Sequence, residues 1–277
     1  MAGDPFEAPV LGPWFEDAMR RVRDDPKALA IVLPSLARRA GRAELARGRI
    51  RIGEAEIERG AWRTCDVAGH RLIEACAIAH ADLDDSVLHE LFLHGDFEER
   101  VIVLRHVSLL PIQSVTIALL GEVQRTNTAA WFEALVCDND LLARAVASGR
   151  LPRDDAYKIL LKGAFVDLRL HRFYGIEHHA SAELTRFVTG LATEREAAGR
   201  AVWVDTNRLV AHAPIEGSVD RVLRGLEDSR AEYRHASVDG LAVLLATHGD
   251  ARLNAAARGA FERESDPGLR VRLSELI

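Results

Sequence analysis

The chain has 277 residues, 48% of them hydrophobic but only 6% aromatic, so its core is built mainly from Ala, Leu and Val, which favour packed helices over a β-sandwich. Its 36 basic and 42 acidic side chains give a net charge of −6, which argues against a general nucleic-acid binder resting on a basic surface. Three cysteines, Cys65, Cys76 and Cys137, with no Cys-x-x-Cys, argue against a disulfide framework or a zinc site and for a reducing, cytoplasmic setting.

Residues 1–13, with Pro5, Pro9 and Pro13, read as a flexible leader; Asp4 and Glu7 and the lack of a basic start make it unlike a signal peptide. Trp14–Arg23 carries Trp14, Phe15, Ala18, Met19 and Val22 at helical spacing. Lys27–Ala40 is a second helical segment, interrupted by Pro34. Between Gly41 and Gly60 the pattern weakens; Glu54–Ile57 suits a short helix. From Asp66 to Ala79 and from Ser86 to Leu93 the stripe is clear again. Asp96, followed by Glu98 and Glu99, is an N-cap signal for a helix over Phe97–Leu109.

A helix from about Pro111 to Gln124 follows. Asn127 or Thr128 suits the cap of Ala129–Cys137, and Leu141–Ala147 is another short helix. A long helix is expected from Pro152 to about Leu170, and a further one over Ser181–Gly199 with Ser181 as cap. Ala201–Val204 is the one extended candidate. Beyond Gly217 four helices of roughly a dozen residues are separated by small polar breaks: Ser218–Ser229, Tyr233–Thr247, Ala251–Glu264 and Leu269–Ile277. The expected fold is all-α, with helical hairpins stacked as a HEAT-like α-solenoid, residues 14–216 as one helical domain and 217–277 as helical repeats packed on it. No apolar run is long enough to span a membrane.

Catalytic motifs are scarce. His89 and His94 flank Glu90 in a zinc-protease-like run, but at i and i+5 they stand about 140° apart on a helix and cannot share a metal. His178-His179 has no third ligand at standard spacing. Asp82, Asp84 and Asp85, with Asn139-Asp140-Leu141, complete neither metal motif of a terpene synthase and suit helix caps. No P-loop, G-x-G-x-x-G or G-x-S-x-G is present, and neither metal nor cofactor is expected.

The most informative polar feature is Lys158, Lys162, Phe165, Arg169 and Arg172, which fall within about 80° of arc on one continuous helix. Such a stripe is either a solvated face or a seat for a phosphate, a carboxylate or an acidic partner; Phe165 in its midst favours the second. Glu194, in Glu194-Arg195-Glu196-Ala197-Ala198-Gly199-Arg200, is either part of an ordinary last helical turn or the acidic partner of that stripe.

Several runs resemble the EboA family: Arg125-Thr126-Asn127 with Phe132-Glu133-Ala134 and Asn139, Leu161-Lys162-Gly163-Ala164-Phe165, Arg172-Phe173-Tyr174-Gly175-Ile176, and above all Glu194 to Arg200. The similarity extends from about Trp14 to Leu253, with Glu232–Leu245 resembling a final repeat, and is specific between Arg125 and Arg200. Thr193 stands where the family commonly has histidine, and Ala182 where it has proline.

The resemblance implies a bacterial secondary-metabolite pathway and a part in making or moving its product, a cyclitol-derived lipid. It brings no catalytic residues. Three roles follow as expectations. The first is a non-catalytic carrier of a small acidic or polyol metabolite, in which Lys162, Arg169 and Arg125 hold an acidic group, Asn127 and Asn139 orient it, and Phe165, Arg172 and Arg200 complete the site. The second is an enzyme with Glu194 as acid or base and Lys162 as its electrostatic partner, which requires a buried Glu194. The third is a scaffold for other proteins of the pathway.

Overall fold

The computed structural model describes residues 11–45, 48–52, 55–59, 61–80, 83 and 86–277. Most of the expected leader, and Asp82, Asp84 and Asp85, lie outside them. Among the described residues the chain forms fifteen α-helices and one two-stranded antiparallel sheet, so the protein is predominantly helical. It divides into two compact units. The first runs to Ala156 and takes in His171–Tyr174; the second comprises Tyr157–Leu170 and Gly175–Ile277. The break expected at 216–217 falls inside the second unit.

The first unit holds α1 (Gly12–Asp24), α2 (Leu29–Ala40), β1 (Gly48–Ile52), β2 (Ala55–Arg59), α3 (Thr64–Ala79), α4 (Ser86–His94), α5 (Phe97–His106), α6 (Ser114–Arg125), α7 (Ala129–Val136), α8 (Leu141–Ala147) and the start of α9 (Arg153–Phe165). Helix α1 already includes Gly12 and Pro13. Pro34 does not interrupt α2; the helix runs through it and forgoes one main-chain hydrogen bond.

The short helix expected over Glu54–Ile57 is a strand from Ala55 onward. It pairs with β1 in a register that sets Ile50 opposite Ile57. Alternation explains this: Ile50, Ile52 and Ile57 point to one face and pack on Trp62 and Val67.

Helices α3 and α5 form the centre of the unit. Along α3 almost every side chain from Thr64 to Cys76 is buried, and along α5 every one from Val101 to His106. They approach closely at Gly69, where a β-carbon would stand 2.4 Å from Ile102 Cγ2. Asp96 caps α5 as expected, accepting from the Glu98 and Glu99 amides, while Glu99 accepts from the Asp96 amide.

A file of alternating charges crosses this core. Arg42 pairs with Glu98, Glu98 with Arg63 at 2.8 Å, and Arg63 with Asp66 at 3.4 Å. Arg105 then bridges Asp66 at 2.8 Å and Asp138 at 2.7 Å. Arg172 bonds Asp138 at 2.8 Å and Glu133 at 3.4 Å. Side-chain exposure is 0% for Asp66, 1% for Asp138 and 7% for Arg105, so each centre leans on its neighbours for charge compensation. The Arg105 guanidinium also lies 5.1 Å over the Trp62 ring, which meets His106 edge-on.

The second unit continues α9 and adds α10 (Ala182–Ala197), α11 (Thr206–Val210), α12 (Ser218–Gly225), α13 (Ala231–His248), α14 (Ala251–Arg263) and α15 (Pro267–Ser274). Helix α13 is its hub and packs on α11, α12, α14 and α15. It meets α11 closely at Gly240, where a β-carbon would stand 2.5 Å from the Asn207 carbonyl. Asp250 and Asp266 cap α14 and α15, and Arg234 ties α13 to Glu264 with two hydrogen bonds. Ala201–Val204 forms no strand; Trp203 within it is buried.

Two outcomes follow for stability. Asp138→Ala takes from Arg105 and Arg172 one of the two carboxylates each leans on and is expected to cost about 3–5 kcal/mol in urea unfolding. His106 is held well below the usual histidine range, first by burial and then by His70 and Arg105. The unfolded chain therefore takes up a proton that the folded one refuses. Stability is complete above about pH 6.5 and falls as the pH drops below it. His106→Phe is expected to flatten that acid slope in unfolding curves between pH 7 and 5.

Candidate ligand-binding site

Two consecutive helices of the second unit build an open hollow of about 450 Å³. Leu161, Lys162 and Phe165 come from α9, and Phe187, Leu191 and Glu194 from α10. The α10 trio stands at i, i+4 and i+7, one face of a helix, as Leu161 and Phe165 do on α9. Both aromatics are left in solvent: Phe165 is 61% exposed and Phe187 45%. Burial pushes the ammonium pKa of half-buried Lys162 down. The hollow thus combines apolar walls with one cation and one carboxylate, a lining that suits an amphiphilic small molecule.

The wall is shaped by where α9 stops. The long helix expected to Leu170 ends at Phe165. Asp167 takes the left-handed conformation at φ 59°, with the Leu168 amide donating to the Gly163 carbonyl and the Asp167 amide to Ala164, a Schellman stop. Arg195 on α10 closes this end. It donates to the Phe165 carbonyl at 2.6 Å, to Asp167 at 2.9 Å and to the Ala201 carbonyl at 3.0 Å, and lies 5.7 Å from the Phe165 ring centroid. A guanidinium here also meets the negative end of the α9 dipole.

The stop dismantles the expected stripe, because residues past Phe165 no longer follow 100° per residue. Arg169 instead forks Asp205, at 2.9 and 3.4 Å, and Asp205 also accepts from the Leu170 amide. Arg172 belongs to the first unit and ends its charge file. Asn139 is buried there too. Its Nδ2 donates to the Ala134 carbonyl at 3.0 Å, and its Oδ1 accepts from the Leu141 amide at 2.9 Å. Arg125 pairs with Glu122 on the surface, and Asn127 sits exposed in the turn after α6. Thr128 stands at the N-cap of α7, one of the two expected positions, but its side chain makes no cap bond; Thr126 Oγ1 accepts from the Thr128 amide. Of the expected set, Lys162, Phe165 and Glu194 line the hollow. Arg200 lines a different one.

The acid–base role for Glu194 required burial beside a cation, and Glu194 is exposed at the rim. Nor are the cysteines nucleophiles. All three are free and buried; burial raises Cys65 and Cys76 to about 11 and holds Cys137 well above the usual thiol range. His94 pairs with Glu90 on the exposed face of α4, and His178 and His179 end a 3₁₀ turn.

The family described as metabolite traffic protein EboA matches residues 13–211, and the chain belongs to it. The matched span ends before Glu232–Leu245 and leaves α12–α15 outside. No curated protein and no solved structure matches the chain.

Arg195 is expected to outweigh its neighbour in stability. Arg195→Ala should cost about 1.5–3 kcal/mol in urea unfolding, the range for hydrogen bonds to a charged group, whereas Glu194→Gln should stay within about 0.5 kcal/mol. Equal effects would contradict the clamp.

Proposed function

We propose that the protein is a non-catalytic carrier in metabolite traffic, taking up a small metabolite with an acidic or polyol part and an apolar part. The observation that carries this is the pair Phe165 and Phe187, left exposed in one hollow together with Lys162 and Glu194. An unoccupied solvated face gains nothing from two exposed rings, whereas a bound apolar body removes them from water. The Lys162 ammonium pairs with an acidic group, and the Glu194 carboxylate accepts from hydroxyls. The family's description supports a role in moving a metabolite; the cyclitol-type cargo, the secondary-metabolite pathway and the bacterial cytoplasm are part of the proposal.

The C-terminal helices complete the picture. Tight turns at Gly249-Asp250 and Ser265-Asp266-Pro267 support reading α12–α15 as HEAT-like hairpins that offer a surface to other proteins of the pathway.

Native mass spectrometry of the purified chain tests the carrier role. The wild type is expected to retain a small-molecule adduct, and Lys162→Glu to lose it, with affinity for the recovered compound falling roughly tenfold or more. Retention by Lys162→Glu at wild-type level would overturn the assignment of the hollow.

A further inference from the structure

A second hollow of about 270 Å³ lies wholly within the second unit, and its chemistry differs from the first. Its base is fixed by hydrogen bonds that its lining residues make. Buried Trp203 donates to the Leu168 carbonyl at 2.7 Å, buried Thr206 donates to the Trp203 carbonyl at 2.6 Å, and the Tyr233 hydroxyl donates to the Val202 carbonyl at 2.7 Å. Four guanidiniums line it: Arg200 after α10, Arg221 and Arg224 at i and i+3 on α12, and Arg230 ahead of α13. Only two carboxylates face them, and both are engaged. Glu196 forks Arg221 at 2.9 and 3.0 Å, and Asp228 forks Arg230 at 3.0 Å through both contacts. Arg230 also stacks 3.5 Å above the Tyr233 ring.

Arg200 and Arg224 remain. Among the described residues neither guanidinium forms a hydrogen bond or an ion pair. Among the lining residues, four cations stand against two carboxylates, in a chain whose net charge is −6; Asp220 and Glu232, outside the lining, act on Arg224 and Arg230 from a longer range. This concentration is therefore not a sample of a generally basic surface. The paired arginines are held by their forks, while the unpaired two keep open donor forks that an oxyanion can occupy. The size falls just below the usual small-molecule range of about 300–1,000 Å³. That favours a compact anionic head over a peptide or nucleic acid.

We propose that this arginine-lined hollow is an anion site for a small phosphate ester, distinct from the hollow at Lys162. Arg200 and Arg224 supply the free forks to the phosphate oxygens, and Arg221 and Arg230 the surrounding positive field. Arg200 belongs to the family-matched part of the chain while the other three lie beyond residue 211, so the site needs the C-terminal helices as well as the matched region.

Titration calorimetry of the full chain with inorganic phosphate and with pyrophosphate tests it, with citrate as a carboxylate control. Both phosphates are expected to bind, pyrophosphate the more tightly, and both more tightly than citrate. Arg200→Gln is expected to weaken pyrophosphate roughly tenfold, and Arg200→Gln with Arg224→Gln to abolish it. Both arginines are exposed and unpaired, and circular dichroism verifies that the variants fold; the single variant stands if the double does not. Lys162→Glu is expected to leave phosphate binding unchanged, which separates this site from the carrier hollow. No binding by the wild type, tighter binding of citrate, or wild-type affinity in Arg200→Gln would overturn the proposal.

Discussion

One guanidinium organises the functional half of the second unit. Arg195 takes the last free carbonyl of α9, the carboxylate of the residue that ends that helix, and the Ala201 carbonyl after α10. Phe165 lines one hollow and Ala201 the other, so a single side chain fixes a wall of each. Its exposure is 13%, which makes its hydrogen bonds worth more than those of a solvated arginine. Loss of this contact lets the end of α9 fray and the Phe165 wall move with it.

The two units use charge in opposite ways. In the first, Asp66, Arg105 and Asp138 are buried in sequence, each compensated by the next. Such a file adds little net stability over an apolar core, but it penalises any arrangement that separates its members, and so specifies how α3, α5 and the α7–α8 junction meet. In the second unit, the charges proposed to bind line hollows instead, Lys162 and Glu194 in one and Arg200 and Arg224 in the other. The polar residues that stand out in the sequence divide along this line: Arg169, Arg172 and Asn139 are consumed by structure, while Lys162 and Arg200 face hollows.

Much of the helical pattern was legible because caps and periodicity are local. Asp96 and Ser181 accept amide hydrogens where the sequence predicts caps, and Asp250 and Asp266 do the same at the polar breaks before α14 and α15. The hairpin was legible in principle, since Arg-Ile-Arg-Ile and Glu-Ile-Glu alternate with period two, but a short polar run between strong helices masked it. The end of α9 was not, because a left-handed stop is normally signalled by glycine and here is made by Asp167, held by Arg195 from 28 residues away. The charge file joins partners such as Arg105 and Asp138, 33 residues apart, and a single sequence carries no mark of that pairing. Lys162 and Glu194 line one hollow between α9 and α10, as reading Glu194 as the acidic partner of the basic stripe predicts.

The central claim, that the surface between α9 and α10 holds the cargo, is tested most directly by hydrogen–deuterium exchange on the full chain with its co-purified metabolite and after dialysis to remove it. The account predicts slower exchange with metabolite bound in peptides covering residues 161–168 and 187–198, and little change in α3 and α5. Protection confined to the first unit, with residues 161–198 unaltered, would contradict it.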